Sequence, residues 1–98
     1  MKRGLRWTER ATEQLAGIAE HISLTSPIYA DQVVERIAER FEQAQEYPES
    51  GRVVPEARPG EPLRELIEAP YRLIYAVYPE SIEVVAVLHG RRNLPDAL

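Results

Sequence analysis

The stretch "YRLIYAVYPESIEVVAVLH", residues 71–89, decides the fold. Two runs, "YRLIYAVY" and "IEVVAVLH", are apolar at nearly every position and flank "PES", where Pro79 is preset for the first central position of a turn. The pair reads as a β-hairpin. Strands apolar on both faces are usual in parallel sheets covered by helices on both sides, but those need a crossover helix between strands and none occurs here. The second face of the hairpin is therefore expected to be covered by something else, another chain being one candidate, and the open face or its edge to aggregate without it.

Working outward, "LRELIE" (63–68) leads through Ala69-Pro70 into the hairpin and adds a third strand. Residues 48–62, "PESGRVVPEARPGEP", hold four of the eight prolines and two of the five glycines. They form a loop with a short extended piece at Val53 and Val54, long enough for a compact domain to suggest a functional or partner-ordered role. Two helices precede it. Ala11, Leu15, Ile18 and Ile22 make a helical stripe after the N-cap Thr8, predicting a helix over about residues 9–23. Gly17 within it costs roughly 1 kcal/mol relative to alanine, and close approach of a second helix is its expected use. Ser26 caps and Pro27 opens a second helix of about 20 residues, striped by Ala30, Val33 or Val34, Ile37, Phe41 and Ala44 and stopped by Pro48 and Gly51. The short break between them predicts an antiparallel helical hairpin. Leu5 and Trp7 alternate with Arg6 as a first strand whose place in the sheet composition does not reveal.

The fold class is thus α+β in a single domain, residues 1–98, of order β-α-α-β-β-β, with the helical hairpin on one face of an antiparallel sheet. Trp7, the only tryptophan, is expected to anchor the first strand to the first helix.

Sixteen acidic against twelve basic residues give a net charge of -4, so nucleic-acid binding would rest on a local basic patch. Residues 31–49 carry six acids against two arginines, while Lys2, Arg3, Arg6, Arg10, Arg91 and Arg92 lie near the chain's ends. No cysteine is present, which removes disulfides and fits a reducing, cytoplasmic setting. "MKRGLRWTER" has no apolar run after its basic residues, and no later segment is apolar enough to span a membrane. Two distant histidines, no G-x-S-x-G and no glycine string argue against a metal centre, a serine nucleophile and a nucleotide-cradling loop, so no metal or cofactor is expected.

What remains for chemistry is "VLHGRR", residues 87–92, together with Arg64 and Arg72. Metal-free RNA cleavage needs a base, an acid and cations at the phosphate. His89 is one proton carrier, Arg64, Arg72, Arg91 and Arg92 are candidate clamps, and a second carrier would come from Tyr71, Tyr75, Tyr78 or a carboxylate. Arginine itself is a poor proton shuttle. Against this stand plainer roles. His89 also suits the rim of a packed strand or a partner contact, Arg64 and Arg72 suit ion pairs with Glu65, Glu68 or Glu83, and Arg91 and Arg92 suit a solvated terminus. His21, late in its helix, suits the dipole there.

In order, "W-T-x-x-A-x-x-x-L-x-x-I-x-x-x-I" (7–22), "SPIYA" (26–30), "PESGRVVPE" (48–56), "RELI" (64–67), "YRLIYAV" (71–77) and "VVAVLHGRR" (84–92) resemble the RelE/ParE toxin superfamily of bacterial type II toxin-antitoxin systems, the ParE branch most. The resemblance covers about residues 5–94. It implies the same small α+β fold and a cognate antitoxin, encoded by an adjacent gene, whose C-terminal segment wraps and neutralises the toxin, in a homo- or hetero-oligomer. RelE-like members are ribosome-dependent mRNA endonucleases, basic and rich in lysine, with a basic strand residue matching Arg72. ParE-like members poison DNA gyrase without cutting nucleic acid, arresting growth and stabilising a plasmid or genome. One lysine and a negative net charge favour the ParE branch. On that reading no residue is catalytic, no sequence-specific nucleic-acid binding is expected, and Arg64, Arg72, His89, Arg91 and Arg92 form the partner-binding set. On the RelE-type alternative His89, Arg72 and Arg64 are catalytic. A further alternative is a family member with another target or without toxicity.

Overall fold

The computed structural model describes residues 2–92; Asn93 and Leu94, the end of the resemblance, lie outside them. The elements are β1 (Gly4–Trp7), α1 (Glu9–Ser23), α2 (Pro27–Glu46), a 3-10 turn at Pro48–Ser50, β2 (Arg52–Val53), β3 (Leu63–Glu68), β4 (Tyr71–Val77) and β5 (Ser81–His89). Both helices start where side-chain oxygens satisfy their first amides. The Thr8 hydroxyl accepts from the Ala11 N–H, and the Ser26 hydroxyl accepts from the Tyr29 N–H with Pro27 following.

The five strands form one sheet in the order β1-β5-β4-β3-β2. All neighbours are antiparallel except β1, which pairs parallel to β5 with Leu5 opposite Ile82 and Trp7 opposite Val84. The sheet is therefore mixed rather than purely antiparallel. β1 stops at Val84, so the outer edge of β5 beyond it faces α1, whose Gln14 Oε1 accepts the Val87 N–H at 2.9 Å.

Helices cover one face. Val33, Ile37, Phe41 and Ala44 of α2 and Ala11 of α1 bury against Leu66, Leu73, Tyr75, Ile82, Val84 and Val87. Trp7 meets Phe41 edge-on at 5.3 Å, which ties β1 to α2, and Phe41 meets Tyr75 edge-on at 6.4 Å. A register irregularity between Ile74 and Tyr75 interrupts the alternation, so that Val84 and Val87 face the helices while Val85, Ala86 and Leu88 pack on the other side.

That other side is covered by the chain itself. Val54, 1% exposed, and Ala57 come from the proline-rich loop and pack with Leu63, Ile74, Ala86 and Leu88. The cover expected for this face is the loop, not the other chain named as one candidate: prolines at 55, 59 and 62 hold the loop irregular, but its apolar residues serve a second, smaller core. Gly17 also departs from expectation. It is exposed, and nothing lies within 4 Å of where its Cβ would stand, so no helix approaches it.

Candidate functional site

Arg72 lies on the loop-covered face, 6% exposed, opposite Ile67 and Leu88 on its neighbouring strands. Its Nε donates to Glu65 Oε1 at 2.8 Å, and Nη1 and Nη2 each donate to Glu56 at 2.8 Å. Nη1 also donates to the Arg92 carbonyl at 2.9 Å, and Nη2 lies 2.7 Å from Glu65 Oε1. Every one of the guanidinium's five N–H groups thus has an acceptor. The bonds to Glu56, reinforced by Glu65, push the Arg72 pKa above its already high ordinary value against the opposing effect of burial. Glu65, itself buried, receives a second cation from Arg52, whose Nε and Nη2 donate to Oε2 at 3.0 and 2.8 Å. Two arginines and two carboxylates neutralise one another. One side chain consequently ties the loop, the middle of the sheet and the segment after β5 together.

Arg64 is elsewhere. It stands opposite Tyr75 on β3, about 13 Å along the strand from Glu68, the residue in register with Tyr71 at the His89 end of the sheet. Its Nη1 donates to the Gly51 carbonyl at 2.8 Å. It does not join the other candidates. Beside it the Tyr75 hydroxyl donates to the Pro48 carbonyl at 2.7 Å and accepts the Gly51 N–H at 3.0 Å. Burial pushes the Tyr75 phenol above its ordinary pKa.

His89, Arg91 and Arg92 lie at the end of β5, where Arg72 reaches the Arg92 backbone carbonyl, but His89 and Arg72 line different clefts. His89 faces Tyr71 edge-on, ring centres 6.3 Å apart, and its Nδ1 accepts the Arg91 N–H at 3.4 Å. In a neutral imidazole that leaves the proton on Nε2. The Arg91 and Arg92 side chains are exposed and form no ion pair among the described residues. Arg6, Arg36, Arg40, Arg52 and Arg72, by contrast, all face carboxylates within 4.0 Å.

Two clefts flank this corner, and Tyr71 lines both. On the loop side a cleft of about 450 Å³ is bounded by Arg52, Glu56, Ile67, Pro70, Arg72 and Gly90. On the helix side one of about 330 Å³ lies among Gln14, Gly17, Ile18, His21, Val87, His89 and Arg92. His21 was not in the sequence-derived set. Its spacing from Gln14 and Ile18 places it on the edge of the α1 stripe, a signal present in the sequence, but that α1 lies across the end of β5 follows only from the sheet order. Among the described residues no group of three or more histidines, carboxylates or cysteines is arranged to hold a metal ion, and no helix is long and apolar enough to cross a membrane.

Comparison with known proteins gives a consistent picture. A family model described as the ParE toxin of the type II toxin-antitoxin system parDE matches residues 5–94. A Sinorhizobium fredii protein with the name "Putative toxin Y4kP" is 34% identical over 99% of this chain and 98% of its own. Toxin RelE2 of Caulobacter vibrioides is 32% identical, covering 88% of this chain and 93% of its own. A solved structure of the chromosomal ParDE toxin-antitoxin system from P. aeruginosa superposes with a TM-score of 0.73 at 26% identity, over 90% of this chain and 96% of that one.

Proposed function

The chain belongs to the ParE toxin family of type II toxin-antitoxin systems, and on that premise we propose that it arrests growth by docking onto DNA gyrase, and that a cognate antitoxin neutralises it. The observation that carries this reading is the state of Arg72. A nuclease of the RelE type needs its strand cation free to meet a scissile phosphate, and here every Arg72 N–H is engaged by Glu56, Glu65 and the Arg92 carbonyl. A phosphate would have to displace two carboxylates from a buried guanidinium, a loss that a docking protein need not incur. The exposed cations of the corner, Arg91 and Arg92, suit a protein surface or DNA held by gyrase.

One observation favours the nuclease alternative. His21, His89 and Tyr71 line one cleft, which supplies the second proton carrier that His89 alone lacks. The two readings separate on one variant. Loss of a proton carrier typically costs 10²–10⁴ in rate, so a nuclease carrying His89→Ala is inactive though folded, whereas a docking protein retains part of its activity. We expect His89→Ala to weaken gyrase inhibition only partly. Complete loss with retained fold, together with cleavage of ribosome-bound mRNA by the parent protein, would establish the nuclease instead.

A further inference from the structure

We propose that the helix-side cleft receives an acidic side chain of a protein partner, its carboxylate seated among His21, His89 and Arg92 and a neighbouring apolar side chain lying on Ile18 and Val87. This rests on the docking reading and names the chemistry of the docked group. Among the described residues the charged and titratable groups lining the cleft are His21 from α1, Tyr71 from β4, His89 from β5 and Arg92 from the turn beyond, with no carboxylate. In a chain with four more acids than bases that sets it apart from the loop-side cleft, which takes in Glu56, and sets Arg92 apart from Arg6, Arg36, Arg40, Arg52 and Arg72, which face carboxylates of the same chain. Charge complementarity therefore selects an anion.

Gly17 supplies an independent observation. An exposed glycine inside a helix costs roughly 1 kcal/mol relative to alanine, and here no packing partner accounts for it. What it does is leave the α1 wall of the cleft open. His89 is already oriented by Tyr71 and by the Arg91 N–H, with Nε2 left to donate. Ile18 and Val87 give the cleft an apolar floor beside the cations, which fits a carboxylate on a peptide better than a phosphate on a polymer. A nucleic acid leaving the cleft would also meet the exposed Asp31, Glu35, Glu39, Glu42 and Glu46 of α2 wherever it crossed the helical face.

The test titrates the full chain with N-acetyl-Leu-Glu-Leu-amide, and with the same peptide carrying Gln for Glu, while the ring protons of His21 and His89 are followed by NMR. Both histidines should move on one isotherm with the Glu peptide, and the Gln peptide should bind about ten-fold more weakly. Arg92→Gln should weaken binding, and Gly17→Leu, whose Cβ meets nothing within 4 Å and whose longer side chain enters the cleft, should abolish it in a protein of unchanged circular dichroism. Equal responses to the two peptides, or undiminished binding by Gly17→Leu, would overturn the proposal. So would a short DNA duplex that shifts the two histidines at lower concentration than the peptide does. Gyrase inhibition measured on the same preparation separates the two levels: an inhibitor that ignores the peptide refutes the cleft alone, and a peptide binder inert on gyrase refutes the target alone.

Discussion

A guanidinium with all its N–H groups engaged has a structural role whatever else it does, and Arg72 can be tested on that footing. Truncating it leaves Glu65 buried and facing only the exposed Arg52, so Arg72→Ala should lose about 3–5 kcal/mol in urea unfolding. Replacing the buried pair together, as Arg72→Met with Glu65→Leu, should recover most of that loss, because apolar groups of similar volume carry no desolvation cost. Toxicity that returns with stability in the double variant identifies Arg72 as a scaffold; toxicity that stays lost identifies it as a contact or a reacting group. Tyr75 gives a pH test. Its phenol ionises more readily in the unfolded chain than in the folded one, so its contribution is fully present below about pH 10 and is lost as pH rises beyond it. Tyr75→Phe should therefore flatten alkaline unfolding, and should cost about 1–3 kcal/mol at neutral pH by orphaning the Gly51 N–H and the Pro48 carbonyl.

At the scale of elements, two glycines should respond with opposite signs. A Cβ on Gly51 would stand 2.5 Å from the Tyr75 hydroxyl and 2.7 Å from the Glu65 carbonyl, so Gly51→Ala should destabilise by about 1–3 kcal/mol. Gly17→Ala meets nothing and should raise the thermal midpoint, by up to about 1 kcal/mol of stability. The stripe of α2, the caps at Thr8 and Ser26 and the hairpin of β4 and β5 were all legible, because each depends on neighbours in sequence. The parallel insertion of β1, the cover provided by Val54 and Ala57, and the meeting of His21 with His89 depend on contacts between distant segments, which local periodicity does not encode. The same limit applies to the candidate site. Arg72, His89, Arg91 and Arg92 do share a corner, but Arg64 is held apart at Gly51, and the carboxylates that saturate Arg72 include Glu56, from a loop without regular pattern.

For the whole molecule, family membership sets the class, and the proposed mode of action rests on the charge distribution. Helices rich in exposed acids cover one side, and Arg91 and Arg92, which form no ion pair among the described residues, lie where β5 ends, an arrangement suited to docking one corner against another protein. Such docking should weaken with salt, since exposed charges are screened beyond about 10 Å at 0.1 M ionic strength. The most direct measurement applies one growth-arresting preparation, free of antitoxin, side by side to cognate gyrase with supercoiled DNA and to translating ribosomes. The account predicts inhibited supercoiling and stabilised, ATP-dependent DNA cleavage that requires gyrase, with no cut in ribosome-bound mRNA. Codon-linked mRNA cleavage with gyrase unaffected would contradict it.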